Sequence, residues 1–396
     1  MSPNERTRVW AATMGGHRAG DGVVVAHRGE PPPKVEAERL SRVAREEAED
    51  QTLAGGATRA EGAGHRARPE EPDPLRTCFE RDRDRILHST AFRRLAGKTQ
   101  VFVFPADHQR TRLTHALEVA QVATAVARAV GLNVALVEAM ALGHDCGHGP
   151  GGHASEDAFD VFVPGGYHHA VWGADVVLAP LNLCVETLDG IRNHSWSLPT
   201  PATPEGAVLS WADRCAYSAH DLEDAVSAGI VSPDEFPDDV VQVIGTSRSS
   251  QLRTFIGALV DCITEHGLVG MADEPAAALA GLRAFNYERI YMRPASVTQG
   301  EAVVEVLRAL VEYFVEVPGE IPDGAGGLVP EATGEADALR RAVAYVAGMT
   351  DRYAFDMAVS RLGWRRDRLP RGIDTTFTRL SAREEEGAGR TREATG

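Results

Sequence analysis

Apolar side chains recur at spacings of three and four residues from about residue 75 almost to residue 380, which is the period of amphipathic helices. The clearest case spans residues 112–130 and is followed by Gly131, a residue type that commonly caps a helix at its C-terminus. Its apolar stripe consists of Leu113, Leu117, Ala120, Thr124 and Ala127. Further helices are predicted over residues 134–143, 204–228, 251–265, 296–317 and 336–352. No convincing strand pattern and no internal repeat is found, so the sequence predicts an all-α fold.

The first 74 residues lack this pattern. They contain one aromatic side chain, Trp10, and Gly, Pro, Ala and charged residues dominate residues 31–74, so this stretch cannot bury enough surface to offset the entropy of ordering. A weak, solvated helix is predicted around residues 35–49. A Pro- and acid-rich loop at 232–239 is the predicted boundary within the folded part. The predicted divisions are a mostly disordered extension at 1–74, a histidine-rich core at 75–231, a C-terminal helical region completing the fold at 232–380, and a disordered tail at 381–396.

Composition narrows the class of protein. The 396 residues carry 41 Lys and Arg against 57 Asp and Glu, a net charge of −16 that excludes a general attraction for nucleic acid or an anionic membrane. Residues 76–112 are the exception, with nine basic side chains against four acidic ones, and we expect this basic window to face any polyanionic ligand. The five cysteines lack C-x-x-C spacing, and no uninterrupted apolar segment is present, which together indicate a soluble protein of the reducing cytoplasm with no membrane contact.

Ten of the fourteen histidines fall between His88 and His220. Within that stretch, His115 lies in the first turn of one predicted helix, the adjacent His144 and Asp145 end the next, and Asp213 lies inside a third. Antiparallel packing of these helices would bring the four side chains to one point. Two imidazoles and two carboxylates form a mixed nitrogen and oxygen site suited to Mn²⁺, Fe²⁺, Co²⁺, Zn²⁺ or Mg²⁺, with positions left for water and substrate.

Five sequence blocks resemble, in order, those of bacterial deoxyguanosinetriphosphate triphosphohydrolases and their relatives in the HD-domain superfamily. The blocks are RDRDRILHSTAFRRLAGKTQVF at 81–102, RTRLTH at 110–115, GHDCGH at 143–148, ADRCAYSAHD at 212–221 and AGMTDRY at 347–353. The resemblance covers roughly residues 75–380. It implies an HD-domain helical bundle with additional C-terminal helices, in which the core at 75–231 is the metal-dependent phosphohydrolase.

The resemblance also implies the chemistry. The metal ligands would be His115, His144, Asp145 and Asp213, holding one divalent ion, with Mn²⁺ or Mg²⁺ favoured over Fe²⁺, Co²⁺ or Zn²⁺. Water would attack the α-phosphorus of a deoxynucleoside triphosphate, with dGTP as the default, and release deoxynucleoside and inorganic triphosphate in one step.

The loop after the metal pair supplies the proton-handling candidates His148, His153 and Glu156, of which the last two resemble a catalytic dyad. A glutamate three residues after a histidine on a helical turn can accept an imidazole N–H and raise the basicity of the ring. The plainer alternative is that His153 only caps the helix.

Four side chains are substrate-binding candidates by the same resemblance. Arg112, one turn before His115, would contact phosphate, while Gln100 and Asp221 would accept the 3′-hydroxyl. Tyr217 would pack against the deoxyribose where a 2′-hydroxyl would collide, and spacings of four and eight place Tyr217 and Asp221 on the helix face of Asp213. Tyr217 as an ordinary half-buried core residue, and the alternating Arg and Asp run at 81–85 as a self-paired solvated face, remain the alternatives.

Three positions depart from the family pattern. Gly151 stands where a phenylalanine is usual, which is expected to loosen the loop that positions His153. The block Tyr167-His168-His169-Ala170 replaces Phe-Glu-His-Asn, and Cys146 replaces an aliphatic residue. Hydrolysis of another nucleotide phosphoester and a catalytically weak dNTP-binding sensor therefore stay open as alternatives. The resemblance further leads us to expect a homo-oligomer and a dNTP or single-stranded nucleic acid as a regulator.

Overall fold

The computed structural model describes residues 3–27, 34–62, 64–105, 108–322 and 334–371. Helices dominate these ranges, which confirms the predicted all-α class. They are α1 (Pro3–Thr13), α2 (Arg42–Thr52), α3 (Cys78–His88), α4 (Thr90–Arg94), α5 (Arg112–Val130), α6 (Val134–Gly143), α7 (Ala154–Phe159), α8 (His169–Trp172), α9 (Val185–Arg192), α10 (Pro204–Ser227), α11 (Asp238–Ile244), α12 (Arg248–His266), α13 (Asp273–Asn286), α14 (Pro294–Glu316), α15 (Glu335–Ala347) and α16 (Asp351–Leu362). None of them combines the length and the apolar character that a membrane-crossing segment needs.

The helices that carry the candidate site begin and end at local capping signals. Gly131, with a φ of 72°, ends α5, and the Asn133 side chain accepts a hydrogen bond from the Leu136 N–H at the start of α6. The Thr203 side chain accepts one from Gly206 at the start of α10, whose first residue is Pro204. These are the helices whose bounds the sequence predicted best.

Other details differ from the sequence-based expectation. The helix predicted over 336–352 is two helices, since α15 ends at Ala347 and α16 begins at Asp351 after the extended Thr350. Apolar spacing continues across this break and does not reveal it. A short antiparallel hairpin, β1 (His17–Gly20) with β2 (Val23–Val25), was not predicted, because its valines are largely exposed and it has no buried face. The expected tail at 381–396 lies outside the described residues.

Two compact units make up the chain, residues 1–41 and residues 42–396. The first contains α1 and the hairpin. The second contains the helices α2 to α16 and three hydrophobic cores. The first core joins α3, α5, α6 and α10, the second joins α7 to α14, α15 and α16, and the third joins α10 to α11, α12 and α13. The candidate site is built on α5, α6 and α10 and on the loops between α6 and α9.

Residues 42–62 and 64–74 belong to the folded unit, although the sequence placed them in a mostly disordered extension. Ala60 is fully buried, and the buried Glu205 carboxylate accepts hydrogen bonds from the Thr58 N–H and hydroxyl. The Arg66 guanidinium forms a buried ion pair of 2.6 Å with Asp82. The buried residues that this stretch adds to the first core are small, Ala57 and Ala60, and buried polar contacts with the helices hold it as well, which is why its composition did not predict order.

Candidate metal centre and active site

The structure brings together the four side chains predicted as metal ligands. The His115 Nε2 atom lies 3.1 Å from Asp213 Oδ1 and 3.7 Å from Asp145 Oδ2. The His144 Nε2 atom lies 3.5 Å from Asp145 Oδ1 and 3.6 Å from Asp213 Oδ1. His115 comes from the first turn of α5, His144 and Asp145 directly follow α6, and Asp213 lies in the middle of α10. Three helices that pack against one another therefore supply the cluster.

The hydrogen bonds around the cluster leave lone pairs directed at its centre. The His144 Nδ1 atom lies 2.7 Å from the Ala141 carbonyl oxygen, which can only accept, so Nδ1 carries the hydrogen and the buried Nε2 has no hydrogen-bond partner. Burial acts to raise the pKa of Asp145, but the adjacent positive charge, first of all that of the Arg112 guanidinium, outweighs it and holds the pKa well below its usual range. Imidazole nitrogens and ionised carboxylates at these separations could hold a divalent cation.

His148 is also in the cluster, but its surroundings suit a different role from the predicted proton transfer. Its Nε2 lies 3.2 Å from Asp145 Oδ1, and the side chain is almost fully buried. Burial, together with the charge of Arg112 and the neighbouring His169, holds its pKa well below the ordinary value. A neutral His148 that donates to Asp145 orients a ligand carboxylate in the way that outer hydrogen bonds orient metal ligands.

The predicted pair of His153 and Glu156 is present and has a third member. The Glu156 Oε1 atom lies 3.1 Å from His153 Nδ1 and 2.8 Å from His169 Nδ1. Burial opposes ionisation of Glu156, but the hydrogen bonds from both rings lower its pKa far below normal. His153 makes no side-chain capping hydrogen bond to α7, which disfavours the alternative that it is only a cap. The sequence analysis gave His169 no role, although it stands at the histidine of the Phe-Glu-His-Asn block.

His194 is a second histidine that the sequence analysis missed. It follows α9, is 2% exposed, and places its Nε2 atom 3.2 Å from the Nε2 atom of His169. Its Nδ1 lies 2.8 Å from the Ile191 carbonyl oxygen. A lone histidine after a short helix carries no sequence signal, so only the fold reveals this contact.

A cavity of about 490 Å³ opens beside the cluster, and the four predicted substrate-binding side chains line it: Gln100, Arg112, Tyr217 and Asp221. Gln100 Oε1 and Asp221 Oδ1 are buried acceptors without a hydrogen-bond partner, while the Tyr291 hydroxyl donates to the other Asp221 oxygen at 2.6 Å. Unsatisfied buried acceptors are costly unless a ligand or water fills them, so this wall of the cavity is suited to a ligand that donates hydrogen bonds.

Three arginines line the same cavity. Arg112 donates from Nη1 to Asp145 Oδ2 at 2.7 Å, and its Nε and Nη2 are buried without partners. Arg214 stacks its guanidinium 3.7 Å from the Trp196 ring centre, and the Arg283 Nε donates to the Tyr217 hydroxyl at 2.8 Å. The sequence predicted only Arg112, because Arg283 lies on α13, outside the five blocks.

The expectation that the whole basic window at 76–112 faces the ligand is wrong. Arg76 pairs with Asp73 and Asp84, and Arg83 also pairs with Asp84. Arg81 and Arg85 both pair with Glu70, so the run at 81–85 is neutralised mostly by carboxylates outside it rather than by itself. Arg110 is enclosed by Glu118, Glu223 and Asp224. Lys98 is buried and donates to the backbone carbonyls of His148 and Ala347. Of the nine basic side chains only Arg112 lines the cavity, because a charge count does not register local pairing.

Hydrogen bonds hold the loop around Gly151 at both ends, although glycine in place of phenylalanine led us to expect a looser loop. The Gly151 N–H donates to Asp351 Oδ1 at 2.9 Å, and its φ is +73°, a conformation that favours glycine. A Cβ atom there would lie 2.4 Å from the Val303 side chain. The Tyr167 hydroxyl donates to the Gly147 carbonyl oxygen at 2.6 Å and fixes the other end of the loop. How these departures affect the rate stays a prediction.

Known proteins resemble this chain over most of its length. A deoxyguanosinetriphosphate triphosphohydrolase-like protein from Caldanaerobacter subterraneus subsp. tengcongensis is 40% identical over 317 residues, which cover 78% of this chain and 92% of that protein. The chain belongs to the deoxyguanosinetriphosphate triphosphohydrolase-like family. A protein of the same description from Ruegeria sp. (strain TM1040) is 36% identical over 367 residues, with 76% of this chain and 97% of that protein covered.

Two domain families match within the chain. Residues 112–218 match the HD domain, a range that contains the four candidate ligands, and residues 269–359 match the phosphohydrolase-associated domain. A crystal structure of a hypothetical protein from Aquifex aeolicus aligns with a TM-score of 0.42 and 18% identity, covering 72% of this chain and 69% of that one.

Asp221 gives a test of the site's electrostatics that needs no substrate. Burial raises its pKa to about 8. A carboxyl whose folded pKa exceeds its unfolded value contributes stability that is present below pH 4 and is lost as the pH rises to about 8. Across that window Asp221→Asn is therefore expected to have a higher free energy of unfolding than the unchanged protein. The gain should reach a few kcal/mol, since a shift of one pKa unit corresponds to about 1.4 kcal/mol.

The measurement is urea unfolding of both proteins at several pH values between 4 and 9. Asp238→Asn, at the start of α11, serves as the control and should track the unchanged protein. A constant difference between Asp221→Asn and the unchanged protein at all pH values would show that Asp221 titrates normally.

Proposed function

We propose that this family member hydrolyses deoxynucleoside triphosphates, dGTP first among them, to deoxynucleoside and inorganic triphosphate. One observation carries the proposal: three members of the cluster, His115, Asp145 and Asp213, line a single cavity together with three arginines and with unsatisfied hydrogen-bond acceptors. The triphosphate of a nucleotide offers anionic oxygens to the arginines, and its sugar offers hydroxyl donors to the unsatisfied acceptors. The two ends of the nucleotide therefore suit the two sets of side chains that line the cavity.

His115, His144, Asp145 and Asp213 are the residues that would hold one divalent ion, with Mn²⁺ or Mg²⁺ preferred over Fe²⁺, Co²⁺ or Zn²⁺. The bound ion would lower the pKa of water and polarise a phosphoryl oxygen. Arg112 adds two unengaged nitrogens, Nε and Nη2, beside the cluster, and their N–H groups suit the oxygens of the α-phosphate. Arg214 and Arg283 supply the charge for the rest of the triphosphate.

Proton transfer to the leaving 5′ oxygen is assigned to His153. The ionised Glu156 accepts from His153 Nδ1, which fixes the orientation of the ring and leaves Nε2 as the nitrogen that can transfer the proton. His169 holds the same Glu156 oxygen from the other side and positions it. His148 donates to Asp145 and acts on the ligand carboxylate rather than on the substrate.

Sugar recognition is assigned to Gln100, Tyr217 and Asp221. Gln100 Oε1 and Asp221 Oδ1 are free to accept from the 3′-hydroxyl. Arg283 holds the Tyr217 ring through its hydroxyl, which keeps the ring where a 2′-hydroxyl would collide. The discrimination against ribonucleotides would then be mainly steric.

Tyr217→Ala is expected to raise the rate with GTP relative to dGTP by about tenfold or more, because loss of the ring removes the collision with the 2′-hydroxyl. Ratios of kcat/KM for the two nucleotides measure this. Tyr217→Phe is the matched control, since it keeps the ring and loses only the Arg283 hydrogen bond, and it should retain the preference for dGTP. An unchanged ratio in Tyr217→Ala would rule out this role.

The function is tested by incubating the Mn²⁺-loaded protein with all four dNTPs and their ribonucleotide counterparts and separating the products. Inorganic triphosphate with deoxynucleoside is the expected pair. Release of orthophosphate or pyrophosphate alone would indicate another phosphoester chemistry, and nucleotide binding without turnover would indicate a sensor. Homo-oligomerisation, a regulatory dNTP or single-stranded nucleic acid, and a cytoplasmic location are parts of the proposal that rest on the family resemblance.

A further inference from the structure

Two buried imidazoles beside the proposed metal centre face each other through their Nε2 atoms, which lie 3.2 Å apart. The Nδ1 atom of His194 lies 2.8 Å from the Ile191 carbonyl oxygen, which only accepts, so that nitrogen carries the ring hydrogen. The Nδ1 atom of His169 lies 2.8 Å from Glu156 Oε1, an ionised carboxylate oxygen, so it also carries the hydrogen. With each Nδ1 engaged in this way, the Nε2 atoms are the nitrogens that the two rings direct at each other.

Two imidazole nitrogens at this distance need a positive species, either a proton or a metal ion, between or beside them. Packing holds both rings in place, since His169 is 6% and His194 is 2% exposed. The arrangement is that of two ligand nitrogens converging on one point. The hydrogen bonds at their Nδ1 atoms are the kind that fix the tautomer of a metal-bound histidine.

A third donor faces the same point. Asp145 Oδ1 lies 4.0 Å from His169 Nε2, and one ligand atom from each of Asp145, His169 and His194 lies within 4.8 Å of the others. The other Asp145 oxygen, Oδ2, faces His115 at 3.7 Å. Asp145 Oδ1 also lies 3.5 Å from His144 Nε2, so this carboxylate stands between the two positions and can be shared by them. His169, His194 and Asp145 all line the cavity, so water or a phosphate oxygen can reach the point between them.

We infer that Asp145, His169 and His194 hold a second divalent cation, with Asp145 shared between the two ions. The inference rests on the proposed function for the first ion. Two imidazoles and one carboxylate favour Mn²⁺, Fe²⁺, Co²⁺ or Zn²⁺ over Mg²⁺, which prefers oxygen ligands and keeps its water. The second ion lies on the side of the cavity occupied by His148 and Glu156 and adds positive charge where a triphosphate would bind.

The test counts ions per chain by equilibrium dialysis of the full-length protein against Mn²⁺, with the metal measured by mass spectrometry. Two Mn²⁺ ions per chain are expected for the unchanged protein, and one for His169→Asn and for His194→Asn. Asparagine can retain a donor near the Nδ1 position, so each variant loses chiefly the Nε2 ligand. His168→Asn is the matched control, because His168 adjoins the site in sequence but serves as the N-cap of α8, a position that asparagine favours.

The electron paramagnetic resonance spectrum of the Mn²⁺-loaded protein gives a second readout. Two ions that share the Asp145 carboxylate should produce a spin-coupled spectrum, which either variant should convert to that of isolated Mn²⁺. Circular dichroism of the metal-free proteins checks that each variant is folded, and either one suffices for the comparison. Saturation of the unchanged protein at one ion would overturn the inference, and a proton shared by the two rings would then account for their contact.

The readouts contain no nucleotide, so the two proposals can fail separately. Binding of two ions without release of triphosphate from any dNTP would remove the proposed function and leave the second site. Release of triphosphate by a protein that binds one ion would support the proposed function and exclude the second site.

Discussion

Asp145→Asn is expected to lower the rate of triphosphate release by more than about 100-fold, a loss beyond that usual for an outer partner of a metal ligand. Asp145 is the carboxylate with most of the contacts in the cluster. It pairs with Arg112 at 2.7 Å, faces His115 and His144 with different oxygens, and accepts from His148 at 3.2 Å. Asparagine retains the size of the side chain but removes one ligand oxygen and the negative charge, so metal binding should be lost with activity.

Three measurements make this result interpretable. Bound Mn²⁺ per chain and triphosphate release should fall together, while circular dichroism shows that the variant remains folded even though Arg112 has lost its ionic partner. Asp157→Asn is the control, because Asp157 is an exposed carboxylate on α7 that lines no cavity wall, and its activity should be unchanged. A folded Asp145→Asn protein that keeps its metal and its turnover would exclude the proposed centre.

Asp82→Asn is expected to reduce the free energy of unfolding by about 3–5 kcal/mol, the usual cost of removing one partner of a buried ion pair. The Asp82 carboxylate is fully buried and accepts from Arg66 at 2.6 Å, from the Cys184 N–H at 2.8 Å and from the Thr187 hydroxyl at 2.7 Å. It thus joins the segment before α3 to α3 and to the start of α9. Losing its charge leaves the Arg66 guanidinium buried without an ionic partner.

Urea unfolding measures this loss, and the double variant Asp82→Asn with Arg66→Met separates its causes. Because the double variant no longer buries an uncompensated charge, it should recover part of the stability that the single variant loses. Equal stability of the single variant and the unchanged protein would contradict the account in which residues 64–74 are held to the bundle by this pair.

The parts of the fold that the sequence predicted are those with local signals. Helices α5, α6 and α10 combine apolar spacing with capping residues, so their bounds follow from the chain itself. The order of residues 42–62 and 64–74 was not predictable in this way. Glu205 and Asp82 hold that stretch across long sequence separations, and a polar contact between distant residues leaves no periodic pattern.

The candidate site divides in the same manner. Its predicted members lie in dense sequence blocks, where spacing places them on shared helix faces. His194 and Arg283 are single residues on other elements, and only packing brings them to the cavity. The prediction that the basic window at 76–112 faces the ligand failed for the opposite reason. Its charges are dense in sequence, but most of them are neutralised by neighbours such as Glu70 and Glu118.

The most direct measurement of the central claim is hydrolysis of dGTP by the Mn²⁺-loaded protein in ¹⁸O-labelled water, followed by mass spectrometry of both products. Attack of water on the α-phosphorus breaks the bond to the 5′ oxygen, so one ¹⁸O atom should appear in inorganic triphosphate and none in deoxyguanosine. Labelled orthophosphate or pyrophosphate, with a nucleotide as the other product, would mean that the bond broken lies elsewhere in the triphosphate and would contradict the account.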